Sequence, residues 1–149
     1  IAGNGVEGKG SINPAFLTVM DLAPTFYELA GVSYPEIWQG KARKPLAGSS
    51  LSPILTGKQD HVHDSNYVFG LEHRGNAMLR KGDWKILNTK SPLELKNFGL
   101  FNLDTDLSEQ QDLKESYPEK YQELLLEWEK YSKKVGVVTP TPKEGEGLK

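Results

Sequence analysis

The chain of 149 residues has the length of one ordinary domain, and its 37% hydrophobic and 26% charged residues are typical of a globular protein. The formal net charge of −2 offers no basic field for nucleic acid, so no nucleic-acid partner is expected. No apolar run approaches the roughly 18 residues of a transmembrane helix, so no membrane span is predicted. The absence of cysteine excludes disulfides, thiol nucleophiles and zinc sites built on sulfur.

The first predicted element is a short helix that follows Asp21, a good N-cap residue. Leu22, Phe26 and Leu29 fall on one face of this helix, and Gly31 is placed to end it. The helix is apolar around most of its circumference. Such a helix normally needs cover on more than one side.

Residues 32–50 are rich in Gly, Pro and Lys, which predicts an irregular surface excursion. A second short apolar helix is predicted over residues 51–55, after Ser50 as its cap, and Gly57 ends it. The polar residues 58–65 predict a loop.

From residue 66 the pattern changes to short strands joined by tight turns. Arg74-Gly75 is the first turn candidate, and Lys81-Gly82-Asp83 is the second. Four strands linked in this way indicate an antiparallel meander. The predicted strands cover residues 66–73, 76–80, 84–87 and 93–103.

The last predicted element is a strongly amphipathic helix. Ser116 is the expected N-cap, Pro118 suits the first turn, Glu119 completes a capping box, and Gly136 ends the helix. One such helix beside four antiparallel strands predicts an α+β fold. The apolar positions at helical spacing are Tyr121, Leu124, Leu125, Trp128, Tyr131 and Val135. The tail, residues 139–149, has two prolines and a polar composition that predict disorder.

His61, His63 and Asp64 invite a metal interpretation, because alternate residues of a strand point the same way. Their surroundings are polar, however, and no further ligand is spaced beside them, whereas a site needs three or four converging ligands. Solvated loop histidines are therefore the favoured interpretation, and a small metallohydrolase is the least favoured function. No metal site is predicted in this chain.

A second polar group crowds the tip of the first predicted hairpin: Glu72, His73, Arg74 and Asn76. Polar hairpin tips are ordinary, and Glu72 paired with Arg74 or Arg80 would explain the group locally. The functional interpretation is a polar claw that reaches a ligand held by another domain. Spacing alone leaves both interpretations open.

Four phrases in the chain resemble, in the right order, segments of bacterial type I sulfatases of the arylsulfatase family, in the alkaline-phosphatase-like superfamily. Leu107 stands where that family usually has proline, and Asp112 where it usually has asparagine. The resemblance as a whole covers roughly residues 12–138. The four phrases lie in residues 16–32, 50–57, 72–85 and 100–113.

The resemblance implies hydrolysis of sulfate esters by a formylglycine, made from Cys or Ser in a Cys/Ser-x-Pro-x-Arg motif, with a calcium ion on the sulfate oxygens. None of this machinery can be placed here. The near-matches that begin at Ser33 and Ser116 lack the arginine. We therefore assign no catalytic residue to this chain, and we expect the nucleophile, the calcium ligands and the formylglycine in the remainder of a parent enzyme.

In that family the C-terminal subdomain is a four-stranded antiparallel sheet with a packed helix. The resemblance implies that residues 1–65 end the catalytic domain and connect it to the subdomain, which covers residues 66–138. The chain begins with Ile1 and no signal peptide follows, so we expect a piece of a longer protein. A periplasmic or secreted location is implied by the resemblance alone.

The expected function is a structural and substrate-rim portion of a sulfatase, inactive by itself. Its partners would be the catalytic domain of the same parent chain and that enzyme's sulfate ester. Glu72, His73, Arg74 and Asn76 are the substrate-rim candidates. The alternative is a free-standing module that binds sulfated glycans through the same hairpin. A long reading frame upstream of Ile1 would favour the first function, and a start codon near it the second.

Overall fold

The computed structural model describes residues 1, 3–8 and 10–138, and these divide into two compact units, one up to Asp64 and one from Ser65 onward. Short helices, a four-stranded antiparallel sheet and a long final helix confirm the predicted α+β class. The predicted disordered tail lies outside the described residues. Within the described part, no helix is long and apolar enough to cross a membrane.

The first unit is built on two short helices, α1 (Leu22–Leu29) and α2 (Ser52–Leu55). A 3-10 turn, Val19–Asp21, leads into α1. The Thr25 hydroxyl joins the helices: it donates to the Asp21 carbonyl at 2.6 Å and accepts from the Leu51 amide at 2.8 Å. Thr25 therefore ties the two helices together through its hydroxyl group.

The prediction of an irregular segment at residues 32–50 was wrong in one respect. Two short strands, β1 (Ile37–Trp38) and β2 (Lys41–Ala42), form an antiparallel hairpin there. Gln39 and Gly40 turn between them with φ angles of 50° and 75°. Positive φ at both central positions is the type I′ geometry that two-residue hairpin loops favour.

The second unit holds the meander, with strand order β3-β4-β5-β6. The turns fall where they were predicted, but the last strand is shorter, because a 3-10 turn at Leu95–Asn97 precedes it. The strands are β3 (Val68–His73), β4 (Asn76–Lys81), β5 (Trp84–Asn88) and β6 (Gly99–Asn102).

Helix α3 (Pro118–Val135) packs on one face of this sheet. Pro118 is its first residue and Tyr117 its N-cap, so the expected cap at Ser116 was wrong by one position. Gly136 ends the helix with φ 73°, as predicted. The core between helix and sheet consists of Ala77, Leu79, Ile86, Phe98, Leu100, Leu124, Leu125 and Trp128.

The loop after β6 returns along that strand and closes the sheet edge. The Asp112 carboxylate accepts from the Leu100 amide at 3.0 Å and from the Lys114 amide at 3.1 Å. Burial alone would raise the pKa of Asp112, but these bonds hold it below its ordinary value. Asp112 therefore accepts two backbone hydrogen bonds at the position where type I sulfatases usually have asparagine.

Candidate functional site

The β3–β4 hairpin tip carries the four residues predicted as a substrate rim. His73 and Asn76 face each other as its closing pair, and Arg74 and Gly75 form the loop. Both loop residues have positive φ, 53° at Arg74 and 83° at Gly75, which is again type I′ geometry. Glycine and asparagine adopt this conformation readily, whereas a left-handed backbone costs other residues about 1–2 kcal/mol. An arginine therefore stands where the backbone disfavours one.

The strand register separates the four candidates into two groups. Glu72 faces Ala77, on the side of the sheet that packs against α3. His73 and Asn76 lie on the opposite side, because successive strand residues alternate. The register therefore places His73 and Asn76 together on one face, next to the loop residue Arg74, and Glu72 on the other face.

Glu72 and Asn76 also stabilise the turn itself through hydrogen bonds to its backbone. The Glu72 carboxylate accepts from the Gly75 amide at 2.8 Å, and the Asn76 side-chain amide donates to the His73 carbonyl at 3.4 Å. The suggested pairing of Glu72 with Arg74 or Arg80 was wrong. The Arg80 Nε instead donates to the Gly82 carbonyl at 2.8 Å, and Arg80 lies on the opposite face from Glu72.

His63, interpreted above as a solvated loop residue, has a buried side chain instead. Its Nε2 lies 3.0 Å from the Oδ2 of Asp21, and the two side chains are 5% and 0% exposed. The Asp21 carboxylate also accepts from the Thr18 amide at 2.7 Å, the Thr18 hydroxyl at 3.1 Å and the Ser49 amide at 2.9 Å. Asp21 is the N-cap residue of α1, as predicted, but its side chain makes no cap bond to that helix and bonds His63, Thr18 and Ser49 instead.

The electrostatics of Asp21 follow from these bonds. Burial alone would raise the pKa of its carboxyl, but the hydrogen bonds from His63, Ser49 and Thr18, with the charge of His63, bring the pKa below its ordinary value. A glycine at position 48 lets the chain approach this closely, since a Cβ there would overlap the Met20 carbonyl. Asp21 and His63 thus form a buried structural tie.

The proposed metal interpretation of His61, His63 and Asp64 finds no geometric support. His61 is exposed and bonds Asp60 at 2.5 Å, while His63 binds Asp21. Among residues 1, 3–8 and 10–138, no group of three or more His, Cys, Asp or Glu side chains could hold a metal ion.

Sequence reasoning missed one exposed feature, the β1–β2 hairpin. Trp38 at its tip is 57% exposed, and Lys41 faces it across the ladder. The signal was present: Gln39-Gly40 stands between two short strand-like pairs, and a residue followed by glycine often marks a two-residue turn. The surrounding lysines and prolines obscured it.

No family model matches the chain. It is 32% identical over 130 residues to an uncharacterised sulfatase of Schizosaccharomyces pombe, covering 86% of this chain and 23% of that protein. An N-acetylglucosamine-6-O-sulfatase of Bacteroides thetaiotaomicron is 27% identical over 140 residues, 91% of this chain and 24% of that protein. The chain corresponds to a C-terminal portion of the sulfatases.

The solved structures agree in fold. A Bacteroides thetaiotaomicron protein assigned as a sulfatase superposes with a TM-score of 0.65 over 95% of this chain and 32% of its own, at 23% identity. At that identity the likeness establishes the fold alone. The chain spans about a quarter of the length of these two curated relatives, 23% and 24%.

Proposed function

We propose that this sulfatase portion serves a sulfate ester hydrolase as a structural subdomain and as part of the rim around its substrate. The names of the relatives support sulfate ester chemistry in the parent enzyme. The chain by itself would be inactive, because it has neither cysteine nor a complete Cys/Ser-x-Pro-x-Arg motif. The formylglycine and the calcium that the family implies would be held by the remainder of the parent chain.

The remainder of the parent would also be the partner of the first unit. Helix α1 exposes Leu22 by 38%, Phe26 by 63% and Leu29 by 62%, a large apolar surface for a helix of eight residues. Contiguous apolar surface of this kind is usually covered by another domain or chain. We therefore place residues 1–65 partly in the catalytic domain and residues 66–138 in the C-terminal subdomain. A periplasmic or secreted parent remains a prediction.

The proposed substrate-rim role rests on the tip of the β3–β4 hairpin. The observation that supports it best is the positive φ of Arg74, 53°. A strained backbone is retained where the surroundings or the function require it. Asparagine would form the same turn without that strain, so the guanidinium itself is the reason to keep arginine. Arg74 and His73 could donate hydrogen bonds to a sulfate or sugar oxygen, and charge-assisted bonds are the stronger kind. We expect His73 to be the main contact.

Glu72 and Asn76 take a different place in this proposal. Both side chains form hydrogen bonds to the turn backbone. They would therefore stabilise the turn conformation from which Arg74 and His73 donate to the substrate. Replacement of either would act through the turn as well as through the substrate.

The test belongs in the full-length enzyme with its native substrate. Arg74→Asn should raise stability by about 0.5–1 kcal/mol, because it relieves the left-handed backbone, and yet lower kcat/KM. His73→Ala should lower kcat/KM by about tenfold, the effect of losing about 1.4 kcal/mol of contact. Lys96→Ala is the control, since Lys96 is exposed beside Glu94 in another part of the unit. Unchanged kcat/KM in both hairpin variants, with folding intact, would contradict the rim role.

A further inference from the structure

The β1–β2 hairpin combines an exposed aromatic ring with free positive charge. Trp38 is 57% exposed, and Lys41, Arg43 and Lys44 are exposed beside it. In the part of the chain that the structure describes, these three cations form no ion pair. A tryptophan this open is uncommon on a surface without a partner.

The register aligns the aromatic and the charges on one side. Trp38 pairs with Lys41, and Ile37 pairs with Ala42. The Arg43 amide then donates to the Glu36 carbonyl at 2.8 Å, which extends the ladder by one step. Because side chains alternate along a strand, Trp38, Lys41 and Arg43 share a face with Glu36, the one acidic residue of the described segment 36–44.

The hairpin holds this face in a fixed shape. Gln39 and Gly40 close it in the type I′ geometry that matches the twist of the strands. The turn sets the backbone that carries the ring and the two cations, so the backbone itself loses little conformational entropy on binding, whereas the long Lys41 and Arg43 side chains must still be ordered. The surface can thus act as a preformed platform.

We propose that this face of the β1–β2 hairpin binds a sulfated polysaccharide, with a sugar ring stacked on Trp38 and sulfate groups held by Lys41 and Arg43. The ring supplies a flat apolar surface, and the cations supply charge-assisted bonds to anionic oxygens. The choice of sulfate among anions rests on the proposed function, since the substrate of the parent would be a sulfate ester. This site lies wholly within the first unit and does not include the β3–β4 tip.

The charge pattern favours a polysaccharide over other polyanions. Recognition of an anionic membrane typically uses clusters of about four to eight basic residues, and this hairpin offers three. The net charge of −2 opposes non-specific binding of nucleic acid. Phosphatidylserine vesicles and a DNA duplex therefore serve as comparison ligands.

The experiment measures the affinity of the purified chain for dextran sulfate, with unsulfated dextran as the neutral reference. We expect binding to dextran sulfate alone, and weaker binding as salt rises. Trp38→Ala should weaken it about tenfold, as losing about 1.4 kcal/mol would, and Lys41→Gln should weaken it measurably. Glu36→Gln should strengthen it, because it removes a carboxylate from that face.

Two control variants test whether removing any exposed aromatic ring or any exposed lysine, at a position away from the hairpin, would weaken binding equally. Phe26→Ala removes another exposed ring, and Lys130→Gln removes a lysine on α3. Equal losses in these controls, full affinity in Trp38→Ala, or tighter binding to vesicles or DNA would each overturn the proposal. The same Trp38→Ala loss must also appear in the full-length parent. None of these readouts uses sulfatase turnover, so a failure here is distinguishable from a failure of the proposed function.

Discussion

The Nε2 of His63 lies 3.0 Å from the Oδ2 of Asp21, 42 residues earlier in the chain, and both side chains are almost fully buried. This pair joins the start of α1 to the segment that leads out of the first unit. A second pair of the same chemistry, His61 with Asp60, lies exposed nearby in sequence. The two pairs offer a matched comparison of buried and exposed ties.

Asp21→Asn should destabilise the chain by about 1–3 kcal/mol at pH 7, because it leaves a buried donor from Thr18, Ser49 or His63 poorly satisfied. Urea unfolding followed by tryptophan fluorescence and circular dichroism measures the change. Asp60→Asn is the control and should have no measurable effect, since water already solvates that pair. Equal effects of the two substitutions would contradict a structural role for the buried tie.

The same carboxylate predicts a pH dependence. The pKa of Asp21 is below its ordinary value in the folded chain, so its stabilising contribution is present above the unfolded pKa, about 3.8. That contribution is lost as the pH falls through the lowered folded pKa. We expect stability to drop less between pH 5 and pH 2.5 in Asp21→Asn than in the original chain. Parallel curves for the two proteins would contradict this assignment.

Gly70 and Tyr131 should show strong energetic coupling. A Cβ at position 70 would lie 2.5 Å from the Tyr131 ring, whose hydroxyl donates to the Gly70 carbonyl at 2.6 Å. Gly70→Ala should therefore cost about 1–3 kcal/mol of stability through overpacking. In a Tyr131→Leu background the same substitution should cost much less, because the ring is gone. Additive losses in that double-mutant cycle would be the contrary result.

Helix α1 should exchange its amide hydrogens faster than the sheet and α3. Its single buried residue is Thr25, and its apolar side chains Phe26 and Leu29 are more than half exposed. Local opening is easiest where few apolar contacts must break. Hydrogen–deuterium exchange with mass spectrometry should find α1 less protected than the segments around Trp84 and Trp128. Equal protection in a chain shown to be monomeric would contradict the prediction.

The purified chain should not hydrolyse an aryl sulfate, even with calcium added. The reason is chemical: no formylglycine can arise without the complete motif, and sulfate ester hydrolysis in this family is implied to need it. A chromogenic aryl sulfate assay against a mock purification measures this. Turnover that follows the chain through two different columns, and is absent from the mock, would contradict the proposal.

Much of the second unit follows from the sequence alone. The amphipathic pattern from Tyr121 to Val135, Pro118 at the helix start and Gly136 at its end are local signals, and the helix forms where they predict it. The turn at Arg74-Gly75 likewise needs only the backbone freedom of its glycine and the flanking strand pattern. Such elements are determined locally because their periodicity and their termini lie within one stretch of chain.

The tertiary structure decided what each polar side chain does. Asp21 is a good cap by type, yet its carboxylate bonds His63, because burial requires every acceptor to find donors and the nearest are far along the chain. Glu72 and His73 are neighbours in sequence, yet they lie on opposite faces of the sheet, since strand register sends alternate residues to opposite sides. The Trp38 hairpin was overlooked because two-residue strands carry too little pattern to be recognised before they pair.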